Sequence, residues 1–400
     1  MDLEAIGALL AQRRPGHALP QGLYSAQAAY AFDLAAIFGR AWILAGFAVE
    51  LPKAGSWLSI MVGSAPVLIT RDRSGHIAAF HNSCRHRGAQ ICPPGRGVSA
   101  RLVCPYHAWT YEMSGELAHA PRMGEGFDRA VHGLGAIHVR VIAGVIYVCL
   151  ADTPPDFTDF AVRAGPMIAP LQLEDTKLAH ESVLLEKANW KLVMENAREC
   201  YHCGKHHPEL ARSFPVELSG HFDIGETDRA EAFSRRMAQL GLAIGPEDGD
   251  SWQATRFALN VGRQSITLDG APAVKRPIMS LGDGDLGSLR WANEPNAFCH
   301  ATADHVFMFS AMPLGPKETL VTGKWLVHKD AVEGVDYDVE NLTALWTATN
   351  LQDRALCENN QRGVDSPGYR PGPYSEEAES LTIRFVDWYC ETARTYLEGR

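Results

Sequence analysis

The spacing of apolar residues divides the chain into regions of different texture. Residues 1–40 are alanine-rich, and Phe32, Ala35, Ala36 and Phe38 predict a short helix. From Trp42 to about Leu150, short β-rich runs follow one another: 42–49, 57–62, 66–70, 77–80, 101–104, 137–141 and 145–150. Turn signals such as Gly63-Ser64-Ala65-Pro66 and Pro93-Pro94-Gly95 separate them. Strands this short and this closely spaced predict an antiparallel all-β module. Thr153-Pro154-Pro155-Asp156 reads as a boundary. Beyond it, runs 177–187, 298–312 and 318–328 predict strands, and 190–203, 337–362 and 376–397 predict helices. The fold class is therefore α+β, with an N-terminal segment 1–40, a β domain 41–155 and a mixed domain 156–400.

Composition narrows the functions available. Of 400 residues, 46% are apolar and 21% charged, which excludes a disordered or fibrous chain. Lys plus Arg is 37 and Asp plus Glu is 47, a net charge of -10. That balance argues against nucleic acid and against an anionic membrane surface as partners. The longest apolar run, Val141 to Ala151, is too short to cross a bilayer. Arg13-Arg14 is followed by Pro15, Gly16 and Pro20 instead of the apolar stretch of an export signal. The expectation is a cytoplasmic protein whose nine cysteines are reduced, used for metal ligation or burial and not as a disulfide framework.

Two constellations carry chemistry. The first is Cys84-Arg85-His86, seventeen residues, then Cys104-Pro105-Tyr106-His107. Each half pairs a thiolate with an imidazole on a loop of the β module. Such a set holds either a tetrahedral zinc ion or a two-iron, two-sulfide cluster with both Cys on one iron and both His on the other. The second lies in 189–207. As a helix capped by Asn189, this stretch places Leu192, Glu195, Glu199 and His202 on one face, followed by Gly204 and the pair His206-His207. Two His four or five residues apart beside a carboxylate is a metal-ligand pattern. A third ligand is offered by the predicted helix 337–362, where Asp353 sits on the stripe Val339, Leu342, Trp346, Thr349 and Leu356. A carboxylate on an apolar stripe needs a partner, whether a metal or a neighbour such as Arg354.

The first motif, with its flanks Phe80-His81-Asn82-Ser83 and Ala108-Trp109, resembles the Rieske motif of non-haem iron oxygenases. Glu199-x-x-His202-x4-His207 resembles the acid, His and His pattern of the same family, and Asp353 with Glu358 resembles its distal ligand segment. The runs 199–203, 207–210, 324–337 and 358–363 are similar to the glycine betaine and proline betaine (stachydrine) demethylating oxygenases. The resemblance implies a [2Fe–2S] cluster on Cys84, His86, Cys104 and His107, and a mononuclear Fe(II) on His202, His207 and Asp353. It implies a Rieske domain followed by a catalytic domain with a helix-grip-like antiparallel sheet flanked by helices, residues 1–40 packing with the latter. Glu199, where most members carry Asp, would bridge the cluster of one subunit to the iron of the next in a homotrimer. The implied activity is that of a terminal oxygenase. With O2 and electrons from a separate NAD(P)H-dependent flavin/iron–sulfur reductase, it would hydroxylate an N-methyl group of a betaine-type amine and release formaldehyde.

Two rivals stand beside this reading: an aromatic-ring-hydroxylating Rieske oxygenase, and a non-catalytic Rieske electron carrier or zinc module. Trp291, Phe298, Phe307, Phe309 and Trp325 are the aromatic candidates for holding a quaternary ammonium. Gly282-Asp283-Gly284-Asp285-Leu286-Gly287 spells a dinucleotide fingerprint but lacks the preceding strand, and its acids would repel a pyrophosphate. NAD(P)H therefore enters only through the partner reductase.

Overall fold

The computed structural model describes residues 2–216, 228–282 and 284–399. It divides into two compact units: Phe38–Pro155, and Met1–Ile37 with Asp156–Arg400.

In the β unit, a seven-stranded sheet runs in the order Ile43–Phe47, Val145–Cys149, Ala136–Ile142, Ile77–His81, Ala65–Arg71, Ser56–Val62 and Gly95–Val98. A small three-stranded sheet, Leu102–Val103, Thr110–Tyr111 and Leu117–His119, completes it. Between them lies an apolar cluster that includes Leu68, Phe80, Leu102, Trp109, Tyr111 and Leu117, and Cys84 and Cys104 belong to it. The predicted module is present. The weakly apolar strands at 95–98, 110–111 and 117–119 gave no sequence signal, because half or more of their residues face solvent or loops.

The larger unit is built on a second seven-stranded antiparallel sheet, ordered Thr176–Glu186, Glu318–His328, Val306–Gly315, Ala297–Ala301, Ser288–Asn293, Trp252–Phe257 and Glu247–Gly249. Register fixes what each face carries. Arg290, His300, Phe307 and Trp325 lie opposite one another across four strands. Phe298 pairs with Phe309 two residues along, so both rows share a face. The long helix Val339–Val364 covers that face: Trp346 stacks on Phe307 with centroids 4.4 Å apart and on His300 at 5.3 Å. Trp291, in the intervening row with Cys299, points to the opposite face, so it does not join the aromatic group expected of it.

The N-terminal segment is bound into this unit by polar contacts as well as apolar ones. Asp33 accepts from Trp190 Nε1 at 2.8 Å and from Tyr389 Oη at 2.9 Å, and forms an ion pair with Lys191, both side chains being fully inaccessible. Tyr24 donates to Glu195 at 2.7 Å. Removing one partner of such a buried pair leaves an uncompensated charge, so these contacts fix the helix Trp190–Asn196 firmly.

Two expected elements are broken. The predicted helix over 190–203 ends at Asn196, with a second short helix at Cys203–His206 that contains Gly204. Past that end, the Glu199 carboxylate accepts from the backbone N–H of Tyr201 and of His202, which satisfies both groups outside a helix. The predicted strand over 298–312 is a hairpin of Ala297–Ala301 and Val306–Gly315. Buried Asp304 makes its turn, accepting from Thr302 Oγ1 at 2.8 Å, Ser265 Oγ at 2.7 Å and Ala273 N at 2.8 Å. In the rejected glycine motif, Asp283 lies outside the described residues; Gly282 and Gly284 adopt turn conformations with φ of 61° and 85°, and a strand follows. No helix among the described residues is long and apolar enough to cross a membrane.

Candidate metal centres

In the β unit, two loops repeat one backbone plan. Cys84 N donates to Ala89 O and Gly88 N to Cys84 O; Cys104 N donates to Trp109 O and Ala108 N to Cys104 O. The fourth residue after each Cys turns left-handed, with φ of 78° at Gly88 and 57° at Ala108. This turn buries each sulfur and leaves each imidazole at the surface. The Nδ1 atoms of His86 and His107 face each other at 3.1 Å, and neither has a second hydrogen-bond partner among the described residues. Burial pushes the Cys104 thiol up, the Tyr106 N–H pulls it back, and neighbouring Cys84 adds to the rise. Tyr111 Oη lies 3.2 Å from Cys84 Sγ and accepts from Arg85 N at 3.0 Å. Trp109 stacks on His86 at 5.0 Å. Two buried sulfurs side by side and two facing, unshared ring nitrogens match the donor set of a cluster with sulfur on one iron and nitrogen on the other.

In the larger unit, three donor atoms converge. His202 Nε2 lies 3.0 Å from His207 Nε2 and 3.1 Å from Asp353 Oδ1, and His207 Nε2 lies 3.0 Å from Asp353 Oδ1. His206 is exposed and stands outside the group. Arg354 is at 4.0 Å from Glu358 and does not neutralise Asp353. Burial would raise the Asp353 carboxyl, but hydrogen bonds from His202 and His207 outweigh it and hold it low. Burial would lower His202, yet its bonds to Asp353 and Glu199 prevail and raise it to about 9. Two imidazoles and one carboxylate on one side of a common point fit a facial iron site with open positions opposite.

The surroundings fix the rings. Glu199 Oε1 accepts from His202 Nδ1 at 2.5 Å. Gln352 Oε1 lies 2.7 Å from His207 Nδ1, and Gln352 Nε2 donates to Glu209 Oε2 at 2.8 Å. Sequence reasoning missed Gln352 and Glu209, whose only signal is adjacency to Asp353 and His207. A cavity of about 290 Å³ is lined by Glu195, Asn196, Glu199, His202, Tyr374 and Glu379. Cys200 and Cys203 form a disulfide, contrary to the expectation of nine reduced thiols; their spacing across the tight turn brings the Cα atoms to 4.8 Å. The other seven cysteines are free and buried.

The Rieske [2Fe-2S] domain family matches residues 41–141, and the ring hydroxylating alpha subunit (catalytic domain) family matches residues 173–394. The chain belongs to this family of Rieske non-haem iron oxygenases, enzymes that pair a [2Fe–2S] cluster with a mononuclear iron. Among its relatives, the glycine betaine monooxygenase oxygenase subunit of Chromohalobacter salexigens is 42% identical over 99% of this chain and 90% of its own length. That of Pseudomonas aeruginosa PAO1 is 41% identical over 97% of this chain and 92% of its own. The quaternary ammonium Rieske monooxygenase CntA has the same fold, with a TM-score of 0.75 at 20% identity, covering 96% of this chain and 98% of that one.

Proposed function

We propose that this chain is the terminal oxygenase of an N-demethylating monooxygenase acting on a betaine-type quaternary ammonium compound, glycine betaine or proline betaine. The observation that carries the reading is the convergence of His202 Nε2, His207 Nε2 and Asp353 Oδ1 within 3.1 Å in a domain of this family. In this reading Cys84, His86, Cys104 and His107 hold the cluster, and His202, His207 and Asp353 hold the ferrous ion. When bound, the cluster supplies single electrons and the ferrous ion activates O2. The net reaction consumes O2, two electrons and two protons, and converts one N–CH3 to N–CH2OH with loss of water. The hydroxymethylammonium then releases formaldehyde and a proton, leaving the tertiary amine.

The chain's own residues position the reactants. A quaternary nitrogen offers no hydrogen bond, so aromatic faces must hold it. Trp346 precedes Asp353 by two helical turns, about 10 Å of rise, and stacks with Phe307 against the sheet. With its methyl at the metal, a betaine still needs a hydrogen-bond donor for its carboxylate. Trp346 Nε1 is buried and has no hydrogen-bond partner among the described residues, so it is a donor available to that carboxylate. Glu199 has lone pairs beyond those facing His202 and the backbone, and can accept from an imidazole of another subunit. This supports a head-to-tail homotrimer in which cluster and iron of different subunits cooperate. The electrons come from a separate NAD(P)H-dependent flavin/iron–sulfur reductase, and the cytoplasm is the compartment that suits it.

The test is formaldehyde release across methylated amines and arenes, with a competent reductase. Formaldehyde equimolar with O2 consumed, from a betaine, supports the reading. Oxidation of an arene to a diol, with betaines inert, overturns it in favour of ring hydroxylation.

A further inference from the structure

We infer that Gln352 and Glu209 are a positioning pair that fixes the tautomer and aim of His207. The inference rests on the reading of His207 as a metal ligand. Hydrogen-bond direction fixes the roles of the three side chains. Glu209 as a carboxylate only accepts, so the atom 2.8 Å from its Oε2 must be the amide nitrogen of Gln352. The amide oxygen of Gln352 then faces His207 Nδ1 at 2.7 Å. An amide oxygen also only accepts, so Nδ1 carries the hydrogen. His207 Nε2 is thereby left bare, and it is the atom 3.0 Å from Asp353 Oδ1 and from His202 Nε2.

Two short segments hold the ring from both sides. The helix Val339–Val364 supplies consecutive residues, Gln352 at Nδ1 and Asp353 at Nε2. Glu209 lies two residues past His207 and returns to the amide, closing a loop of contacts. His207 is buried, with 1% of its side chain accessible, so no solvent can substitute for a lost partner. The two imidazoles are thus held differently. His202 Nδ1 donates to a carboxylate, Glu199, and His207 Nδ1 donates to a neutral amide. A carboxylate partner raises ligand basicity more than an amide does. The pair therefore makes His207 the weaker donor of the two while keeping its geometry.

The experiment measures Co(II) affinity and the Co(II) d–d spectrum in full-length protein whose mononuclear site has been emptied, with circular dichroism verifying each fold. Gln352→Met, which fills the same space without either bond, should weaken Co(II) binding about 10- to 100-fold. The double exchange Glu209→Gln with Gln352→Glu restores both bonds with their charge moved onto the His207 side. It should bind at least as tightly as wild type and shift the d–d bands. Gln352→Met binding within about twofold of wild type overturns the pair's role. So does a double exchange that binds as weakly as Gln352→Met. A His207→Ala protein that binds Co(II) as wild type does overturns the ligand reading itself, which separates the two failures.

Discussion

The two candidate centres each gather two imidazoles and anionic side chains, but they do so in opposite ways. In the β unit the four donors span Cys84 to His107 and come from two loops with one repeated backbone plan. Turn chemistry alone presents them, and the imidazole edges are exposed. In the larger unit the donors come from His202, His207 and Asp353, and no local plan joins them. The centre exists only because a helix–sheet layer brings the helix Val339–Val364 over the turn after Asn196. Its imidazoles are backed by named partners, Glu199 and Gln352, whereas those of the loops rest on the ring faces of Trp109 and Tyr106. An electron-transfer group profits from an exposed edge, and an O2-activating group from a supported, enclosed one.

If the centres are independent in this way, each can be removed alone. Cys84→Ser should erase the visible cluster spectrum and leave the mononuclear site able to bind Co(II). His202→Ala should do the reverse. Both should fall below about 1% of wild-type turnover, since even outer partners of a metal site are worth 10- to 100-fold. Joint loss of both centres from either change would break the comparison. A smaller effect is expected at Glu199, the proposed bridge between subunits. Glu199→Gln keeps the shape but weakens the bond to His202. Both centres should survive it, with turnover about 10- to 100-fold slower and a reduced cluster that fails to reoxidise with substrate and O2 in stopped-flow.

How much of this was legible beforehand follows from the same contrast. The loops were readable because ligands that are sequence neighbours leave a spacing, and the spacing survives whatever the rest of the chain does. Asp353 stands out by pattern only as a carboxylate on an apolar stripe, and it took the family resemblance to pair it with His202 and His207. Gln352 and Glu209 were invisible, since a Gln on a helix and a Glu in a loop are ordinary until a fold joins them. The continuous helix expected over 190–203 stops at Asn196, and periodicity gives no sign that Glu199 satisfies the N–H groups of Tyr201 and His202 outside a helix. The hairpin within 298–312 was missed because its turn, Thr302-Ala303-Asp304-His305, contains no Gly or Pro, and Ser265 and Ala273 from a distant loop secure Asp304. Trp291 was grouped with Phe298 because composition cannot tell which face of a sheet a residue takes.

Finer tests sharpen the picture inside the larger unit. Trp346→Phe keeps a ring on Phe307 and removes the unpaired N–H. KM for a betaine should rise about 10-fold, the value of a hydrogen bond to a charged group, while tetramethylammonium should be affected little. Equal effects on both would assign Trp346 to packing alone. The smallest expected effect concerns Glu186, which is buried, with Oε2 unpartnered among the described residues. Burial first, then Asp353 and Glu358, raise its pKa from 4.5 to about 8. The folded state thus prefers the protonated form, so its contribution to stability is full below 4.5, falls between 4.5 and about 8, and is gone above. Glu186→Gln should raise the melting temperature of the metal-free protein by a few degrees above that window and leave it unchanged near the bottom of it. The opposite ordering would place the carboxylate in a charge-stabilised setting.

The most direct measurement is iron and acid-labile sulfide per chain, taken with the visible spectrum of the same sample, for wild type and Asp353→Ala. The account predicts about three irons and two sulfides in wild type, and about two of each in the variant with the red-brown spectrum intact. An Asp353→Ala protein that keeps the third iron, or that loses iron and colour together, would contradict it.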